Sequence, residues 1–537
     1  MANRRDFLKT LYPGAAAMSL GTGRAAPQAA KPNVLFLMAD QFRFDAIAAL
    51  GNRHIYTPNL DRLVRRGVTF TNAYSQCPVC VPSRYTIRTG CESATTRSFF
   101  NGLSKPAEGQ AATMNGRCGP YLAQTMKTLG YRTFGIGKFH TIPWDEELGY
   151  DVHLHSEELY ASPEQRSRDA YASWIATKHP EYNFIEGLMG ERTEMYYMPQ
   201  MSPLPAEATV ERWAAGRAIE QIRAVPGGQP YFGFVSFVGP HPPLAPPIPF
   251  NRIYDPDRMP NPVRGDPETD HMDEQIPWMN YAIWAEDIND PHARVLKARY
   301  YGEITYIDDC IGRILDAVEA RPDADNTLIC FFADHGDHLG DHRAWQKESY
   351  FEASCHVPFL VSWPGRIPAG RRRSELASLT DLFGIATGAA GKPEIREGTD
   401  LLGVLAGSAK PREYLFGYYG EPGTPLFKMM VRHADWKYIF MANGGREQLF
   451  NLRNDPDEVK NLARQDPGTA RALYDRAVSQ CRRPALQAAL EGGGLRRFPF
   501  QARPRQRIYQ FDRSRGVTGF PARPEDVLKT WRSPSGA

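Results

Sequence analysis

Short apolar runs spaced along the first two thirds of the chain constrain its fold more than any other feature. The first is Asn33-Val34-Leu35-Phe36-Leu37-Met38, ending at Ala39-Asp40; similar runs lie at Tyr131 to Ile136, Tyr231 to Phe237, Thr327 to Phe332 and Val357 to Ser362. A run without polar alternation reads as a strand buried on both faces, as in a parallel sheet covered by helices. Helical patterns stand between the runs, at Asn59 to Arg66, Tyr121 to Leu129, Ala206 to Ala224 and Ala293 to Ala320. Strands alternating with helices predict an α/β domain built on a large, mostly parallel sheet flanked by helices.

In such sheets, polar residues just past the carboxyl ends of strands converge on one rim, where ligands bind. Asp40, Lys138, His140, His241, Asp334 and His335 each follow an apolar run directly or nearly so. Residues 239–290 are rich in proline and poor in periodicity, which suits a long excursion over that rim. After about residue 405 the character changes. Tyr414 to Tyr419, Lys428 to Arg432 and Trp436 to Met441 alternate like short antiparallel strands, and a helix is expected near Thr469 to Arg482. The domain reading is therefore a catalytic α/β domain over 31–405, a small C-terminal α+β domain over 406–490, and an Arg- and Pro-rich extension over 491–537 that wraps on the surface.

The chain has 537 residues, ample for a large core plus a smaller domain. Its 64 basic residues nearly balance 61 acidic ones, so bulk charge selects no partner and no nucleic acid is expected. No apolar run is long enough to span a bilayer. Residues 1–30 read as an export leader: Arg4-Arg5-Asp6-Phe7-Leu8-Lys9 is a twin-arginine pattern, followed by an Ala/Gly-rich stretch and small residues from Ala25 to Ala30. Twin-arginine export machinery is the expected partner, and the expected destination is the periplasm or beyond. Eight cysteines in so long a chain do not make a disulfide scaffold.

The sharpest local signal is Cys80-Val81-Pro82-Ser83-Arg84, followed by Thr89-Gly90. Cys77-Pro78-Val79-Cys80 is also a C-x-x-C, but no second ligand pair for zinc is evident and the surroundings do not suit a thioredoxin-like unit. The C-x-P-S-R pattern resembles that of type I sulfatases of the alkaline-phosphatase superfamily. The resemblance runs from Lys31 to about Leu462. It takes in Asp40, Tyr56-Thr57-Pro58-Asn59-Leu60-Asp61, Gly137-Lys138-Phe139-His140, His241-Pro242-Pro243, Asp334-His335-Gly336-Asp337, Lys347 and Leu449-Phe450-Asn451-Leu452. Agreement of these strings in order and spacing is what makes it specific.

The resemblance implies an alkaline-phosphatase-like fold and a sulfuric ester hydrolase. It implies that a formylglycine-generating maturation enzyme converts Cys80 to formylglycine (3-oxoalanine). The hydrated aldehyde then offers two hydroxyls on one carbon. One attacks sulfur and displaces the alcohol; the other lets the sulfated hemiacetal collapse with release of sulfate. By the same resemblance Asp40, Asp334 and His335, with the modified Cys80, hold one divalent metal. Arg84 stabilises the hydrate, Lys138 and Lys347 neutralise sulfate oxygens, His140 is the base for the collapse, and His241 contacts sulfate or the leaving oxygen.

Two departures bear on the metal: Asp40 is followed by Gln41 rather than a second carboxylate, and Asp334 is paired with His335 where others have Asn. Ca2+ is favoured, with Mn2+ or another transition metal as the alternative. Arg88 adds a charge near the motif without an evident role. Asp337, His338, Asp341 and His342 are left unassigned, and His153, His155 and His271 read as ordinary surface or loop histidines. Arg97, Phe99, Phe100 and Asn101 either border the substrate pocket or pack; Asn101 is carried as a substrate contact. A small-molecule or glycan sulfate ester is the expected substrate, a sulfated carbohydrate first, since Thr95-Thr96-Arg97 resembles a region of uronate sulfatases. A phosphonate monoester or phosphodiester hydrolase of the same superfamily shares the Asp-Gln pair and is the alternative. A glycan-binding homologue without activity is a lesser one.

Overall fold

The computed structural model describes residues 31–158, 163–183, 196–505 and 507; the leader expected over 1–30 and nearly all of the chain after 505 lie outside them. Eight strands form the main sheet: β1 (Asn33–Ala39), β2 (Val68–Tyr74), β3 (Arg132–Gly137), β4 (Val152–His155), β5 (Tyr231–Phe237), β6 (Thr327–Ala333), β7 (Phe359–Ser362) and β8 (Arg371–Ser378). Their spatial order is β4-β3-β5-β1-β6-β7-β2-β8. The apolar runs form its centre. β3, β5, β1 and β6 are consecutive and mutually parallel, and every residue of β1, β5 and β6 is buried. Burial on both faces is why these strands lack alternation. Phe36 on β1 meets Phe232, Phe234 and Phe332 edge-on, with ring centres 5.5 to 6.2 Å apart.

The run at Val357 to Ser362 differs from the parallel reading. β7 is antiparallel to both β6 and β2. It follows β6 through a loop with only short helical turns, and an antiparallel neighbour needs no crossover helix. β2 and the edge strands β4 and β8 escape a search for apolar runs. β8 opens with Arg371, Arg372 and Arg373, charges that also discourage pairing along an open edge. β4 alternates Val-His-Leu-His. His153 and His155 are therefore strand residues, not surface or loop histidines. Their rings stack 5.4 Å apart, with His155 buried and stacked on Trp144.

Helices at Pro58–Arg66, Leu122–Thr128, Val210–Ala224 and Asp290–Glu319 cover the sheet where the periodicity places them. The proline-rich stretch is not structureless. It holds short helices at Pro267–Asp270 and Gln275–Ala282, and it packs on the segment after β6 through His342 N to Val263 O (2.8 Å). Among the described residues no helix is long and apolar enough to cross a membrane.

A second, four-stranded antiparallel sheet comprises β9 (Tyr414–Tyr419), β10 (Lys428–His433), β11 (Trp436–Met441) and β12 (Arg446–Asn451), ordered β12-β11-β10-β9. Its period-two pattern sends Met429, Val431, Tyr438 and Phe440 into one core, with Leu473 and Ala477 of the helix Pro467–Gln480. Met430, Ile439 and Phe450 point the other way, against Tyr350 and Phe351 of the loop between β6 and β7. The second sheet thus braces the loop that carries part of the site. The described part of the C-terminal extension follows the second sheet, through Phe498 N to Ala442 O (2.9 Å), and then reaches the helix Gln275–Ala282, with the Arg503 guanidinium 3.5 Å above the Trp278 ring.

Candidate active site

The shared rim expected from the sequence exists. β1, β3, β5 and β6 run side by side, so Asp40, Lys138, His241, Asp334 and His335 leave neighbouring strand ends. Cys80 arrives from a different element, the first turn of the helix Cys80–Thr89, where the positive end of the helix dipole favours negative charge.

Asp40, Cys80, Asp334 and His335 are all buried, and one ligand atom from each lies within 4.8 Å of the others. Cys80 Sγ is 3.1 Å from His335 Nε2 and 3.8 Å from Asp40 Oδ1. His335 Nδ1 lies 2.9 Å from Gly336 O, a contact it makes as a donor. Burial, the largest influence, lowers the imidazole pKa. The ring is thus neutral with the Nε2 lone pair aimed into the cluster, as a metal ligand requires. Two carboxylates and a neutral imidazole suit a divalent cation, the carboxylate oxygens favouring Ca2+ and the imidazole nitrogen an ion such as Mn2+. Cys80 Sγ marks where the hydroxyls of a converted side chain would stand. Burial and then the Asp40 carboxylate push the unmodified thiol up to about 12. In these protein surroundings alone it stays protonated, the wrong state for direct attack.

Cations surround the cluster. Arg84 donates from Nη2 to Asp40 Oδ2 (2.7 Å), from Nε to Asp334 Oδ2 (3.2 Å) and from Nη1 to Ser236 Oγ (3.0 Å). Lys138 Nζ lies 2.6 Å from Asp40 Oδ2, 3.9 Å from Cys80 Sγ and against the Glu158 carboxylate. Burial works against the Asp40 carboxylate, but Lys138, Arg84, His241 and His335 outweigh it and hold its pKa well below the ordinary range. Burial likewise opposes the Lys138 ammonium, and Asp40, Cys80 and Glu158 raise it. Lys347, which on its own would read as a surface lysine, is buried and donates to Gln41 Oε1 at 2.7 Å.

His140 and His241 complete the ring. Burial lowers both pKa values, that of His241 strongly, so both rings are neutral near pH 7. His241 Nδ1 is engaged with Pro242 O at 2.7 Å, which leaves Nε2 facing the site. His140 N donates to Glu157 Oε1 at 2.5 Å, fixing the backbone beside the ring. If neutral His140 acts as a base, activity falls on the acid side only below its lowered pKa. The acid limb of kcat should lie below about pH 6.5, the ordinary value, and vanish or move in His140→Gln. An unchanged limb in that variant would remove His140 from the role.

Several residues gain places that the sequence did not supply. Gln41 links three site residues: its Oε1 takes Lys347, its Nε2 donates to Asp337 Oδ2 (2.6 Å) and its backbone N donates to Asp334 Oδ1 (3.1 Å). It acts as a positioning residue for Lys347, and Asp337 anchors it together with the Tyr197 hydroxyl. Asp341 and His342 hold loops, Asp341 by its ion pair with Arg43 (2.8 Å) and His342 through Asp270 (2.9 Å). His338 pairs with Ser349 at 2.7 Å. The Arg88 charge is accounted for. It donates to the carbonyls of Arg84 and Phe139 at 2.9 and 2.6 Å and lies over the Tyr85 ring. Cys77 is a buried thiol, and its carbonyl accepts from Ser83 Oγ at 2.8 Å. Phe99 is buried in the second sheet's core with Arg97 over its ring, whereas Asn101 is exposed and accepts from Val81 N (3.2 Å) beside Cys80. Glu157 and Glu158 carry no signal in the sequence, because they follow a strand whose alternating histidines give no apolar run.

Comparison with known proteins agrees with this geometry. The sulfatase family model matches residues 32–392, and the model for the N-sulphoglucosamine sulphohydrolase C-terminal region matches 340–476. An arylsulfatase of Clostridium perfringens is 30% identical over 466 residues, covering 83% of this chain and 93% of the relative. A choline-sulfatase of Rhizobium meliloti is 26% identical, covering 87% and 90%. Among solved structures, a phosphonate monoester hydrolase of Agrobacterium radiobacter superposes with a TM-score of 0.70 at 25% identity, covering 87% of this chain and all of that one. A buried cluster of two carboxylates, an imidazole and a C-x-P-S-R cysteine at the rim of an alkaline-phosphatase-like sheet thus meets a family match across most of the chain: this protein belongs to the sulfatase family and is an enzyme of that family.

Proposed function

We propose that this enzyme hydrolyses sulfate monoesters, with a sugar as the alcohol, using formylglycine made from Cys80 and one divalent metal held by Asp40, Asp334, His335 and the converted residue 80. The observation that carries the reading is the buried Asp40–Cys80–Asp334–His335 cluster with Lys138 beside it and Lys347 near it. A sulfate ester repels nucleophiles, so the site must supply positive charge and a pre-positioned attacker. A divalent metal bound there lowers the pKa of a hydroxyl held against it. Arg84 holds both carboxylates in place, through Nη2 to Asp40 and Nε to Asp334. Lys138 and Lys347 face the sulfate oxygens, His241 lies beside the leaving oxygen, which takes its proton from the Lys347 ammonium, and neutral His140 accepts the proton when the second hydroxyl collapses. Ca2+ is the favoured metal. Conversion of Cys80 calls for a maturation enzyme, and the twin-arginine leader for export to the periplasm or beyond.

The likeness to a phosphonate monoester hydrolase and the Asp40-Gln41 pair support a second reading, hydrolysis of phosphonate monoesters or phosphodiesters by the same site. Rates on an aryl sulfate, an aryl phosphonate monoester and a phosphodiester separate the two. The protein should first be co-produced with a maturation enzyme and conversion of Cys80 checked by mass spectrometry. The sulfate ester is expected to have the highest kcat/KM, by about 10-fold or more, since selectivity of this size needs only 1 to 2 kcal/mol. A dominant phosphonate or diester activity would reverse the order of the two readings.

A further inference from the structure

Glu158 has no part in the chemistry assigned so far. Its carboxylate contacts the Lys138 ammonium and lies 3.5 Å from His241 Nε2, two groups assigned to the sulfate and its leaving oxygen. Its side chain is 13% exposed, against 0% for Lys138 and 3% for His241. Glu158 is therefore nearer to solvent than either of them.

Its place is fixed by its neighbour. Glu157 N donates to Asp169 Oδ2 at 2.9 Å, and Asp169 is buried and caps the helix Ala170–Lys178 by accepting from Ala172 N at 2.9 Å. The Glu157 carboxylate in turn takes His155 Nε2 and His140 N, each at 2.5 Å. The chain is thus anchored one residue before Glu158, by a helix cap and by two histidines. A carboxylate that merely filled the cradle until sulfate arrived would compete with every substrate alike. Glu158 pairs with Lys138 but also stands 3.5 Å from His241 Nε2, the nitrogen left facing the site because Nδ1 is engaged with Pro242 O. That contact puts the negative charge on the alcohol side of the ester.

We propose that Glu158 forms an acidic subsite for the alcohol moiety. It admits sulfate esters whose alcohol is neutral or cationic near the ester bond and disfavours those carrying a carboxylate or a second sulfate there. The proposal rests on the sulfatase reading and narrows its substrate class, away from uronates and polysulfated sugars. A like charge several ångströms away in a half-buried site costs roughly 10- to 100-fold in transition-state binding.

The test uses phenyl sulfates bearing a meta trimethylammonium, nitro or carboxylate group and the metal-loaded full chain with Cys80 conversion verified. For each ester the ratio of kcat/KM in Glu158→Gln to that in the wild type is measured, which cancels intrinsic leaving-group reactivity. The ratio for the carboxylate ester should exceed that for the nitro ester by about 10-fold or more, and the ratio for the trimethylammonium ester should fall below it by a similar factor. Glu158→Asp should keep the wild-type order, and Glu158→Ala provides a second neutral variant should the first not fold. Equal ratios for all three esters overturn the subsite, including a uniform rise, which would mark Glu158 as an occupant of the sulfate cradle. If the wild type cleaves none of the three esters but does cleave a phosphonate monoester, the sulfatase reading has failed and takes the subsite with it.

Discussion

Cys80→Ser is expected to release at most one equivalent of alcohol per site and then stop, with steady-state turnover lower by about 10⁴-fold or more. A serine at residue 80 keeps one hydroxyl at the first turn of the same helix, beside His335, Asp40 and Lys138. Attack on sulfur therefore stays possible. The resulting serine sulfate has no second hydroxyl on the same carbon, so neutral His140 has no proton to remove and sulfate cannot leave by C–O cleavage. Rapid-quench measurement of alcohol release, with intact-protein mass to detect the sulfated serine, reads both halves of the expectation. Sustained multiple turnover by this variant would remove the need for two hydroxyls and with it the formylglycine mechanism.

Asp40→Ala should remove activity and destabilise the fold by roughly 3 to 5 kcal/mol, the cost of breaking a buried ion pair on one side. Asp40 Oδ2 carries both Arg84 and Lys138, and the three side chains are buried. Without it Arg84 is left with Asp334 and Lys138 with Glu158, and a metal loses one of its ligands. The pH dependence follows from the sign of the Asp40 shift. Its folded pKa lies well below the unfolded value, because Lys138 and the other cations outweigh burial. Its contribution is present above about pH 3.9, the unfolded value, and is lost as pH falls through the lowered folded value. Denaturant unfolding from pH 7 downward should show the variant's deficit at neutral pH and its narrowing in strong acid. A variant as stable as the wild type at pH 7 would contradict the buried network.

The sequence marks the centre of the sheet clearly because the central strands are buried on both faces, and such strands announce themselves as unbroken apolar runs. The rim residues follow from those runs, since whatever follows a central strand must emerge at the same edge. Elements with a mixed environment were harder to read. β8 begins with three arginines and β4 alternates histidines, so neither carries a hydrophobic signature. The antiparallel turn of β7 depends on the path of the chain after β6, which no local pattern encodes. At the site, Lys347 and Gln41 illustrate the same limit. Each is an ordinary polar residue in sequence, and the Nζ to Oε1 contact that gives both a purpose spans 306 positions. Glu158 was invisible because its partners Lys138 and His241 come from two other strand ends.

The inward face of the second sheet, formed by Met430, Ile439 and Phe450, closes over Tyr350 and Phe351, and Lys347 lies just upstream of that pair on the same loop. Lys428 of β10 reaches further, donating to the carbonyl of Glu348 at 2.5 Å. A gene shortened before β9 would not yield a trimmed catalyst. It would strip the backing from Lys347, one of the two lysines proposed to face sulfate, and leave an apolar surface bare, so the smallest workable unit for engineering or for grafting onto another scaffold includes both sheets.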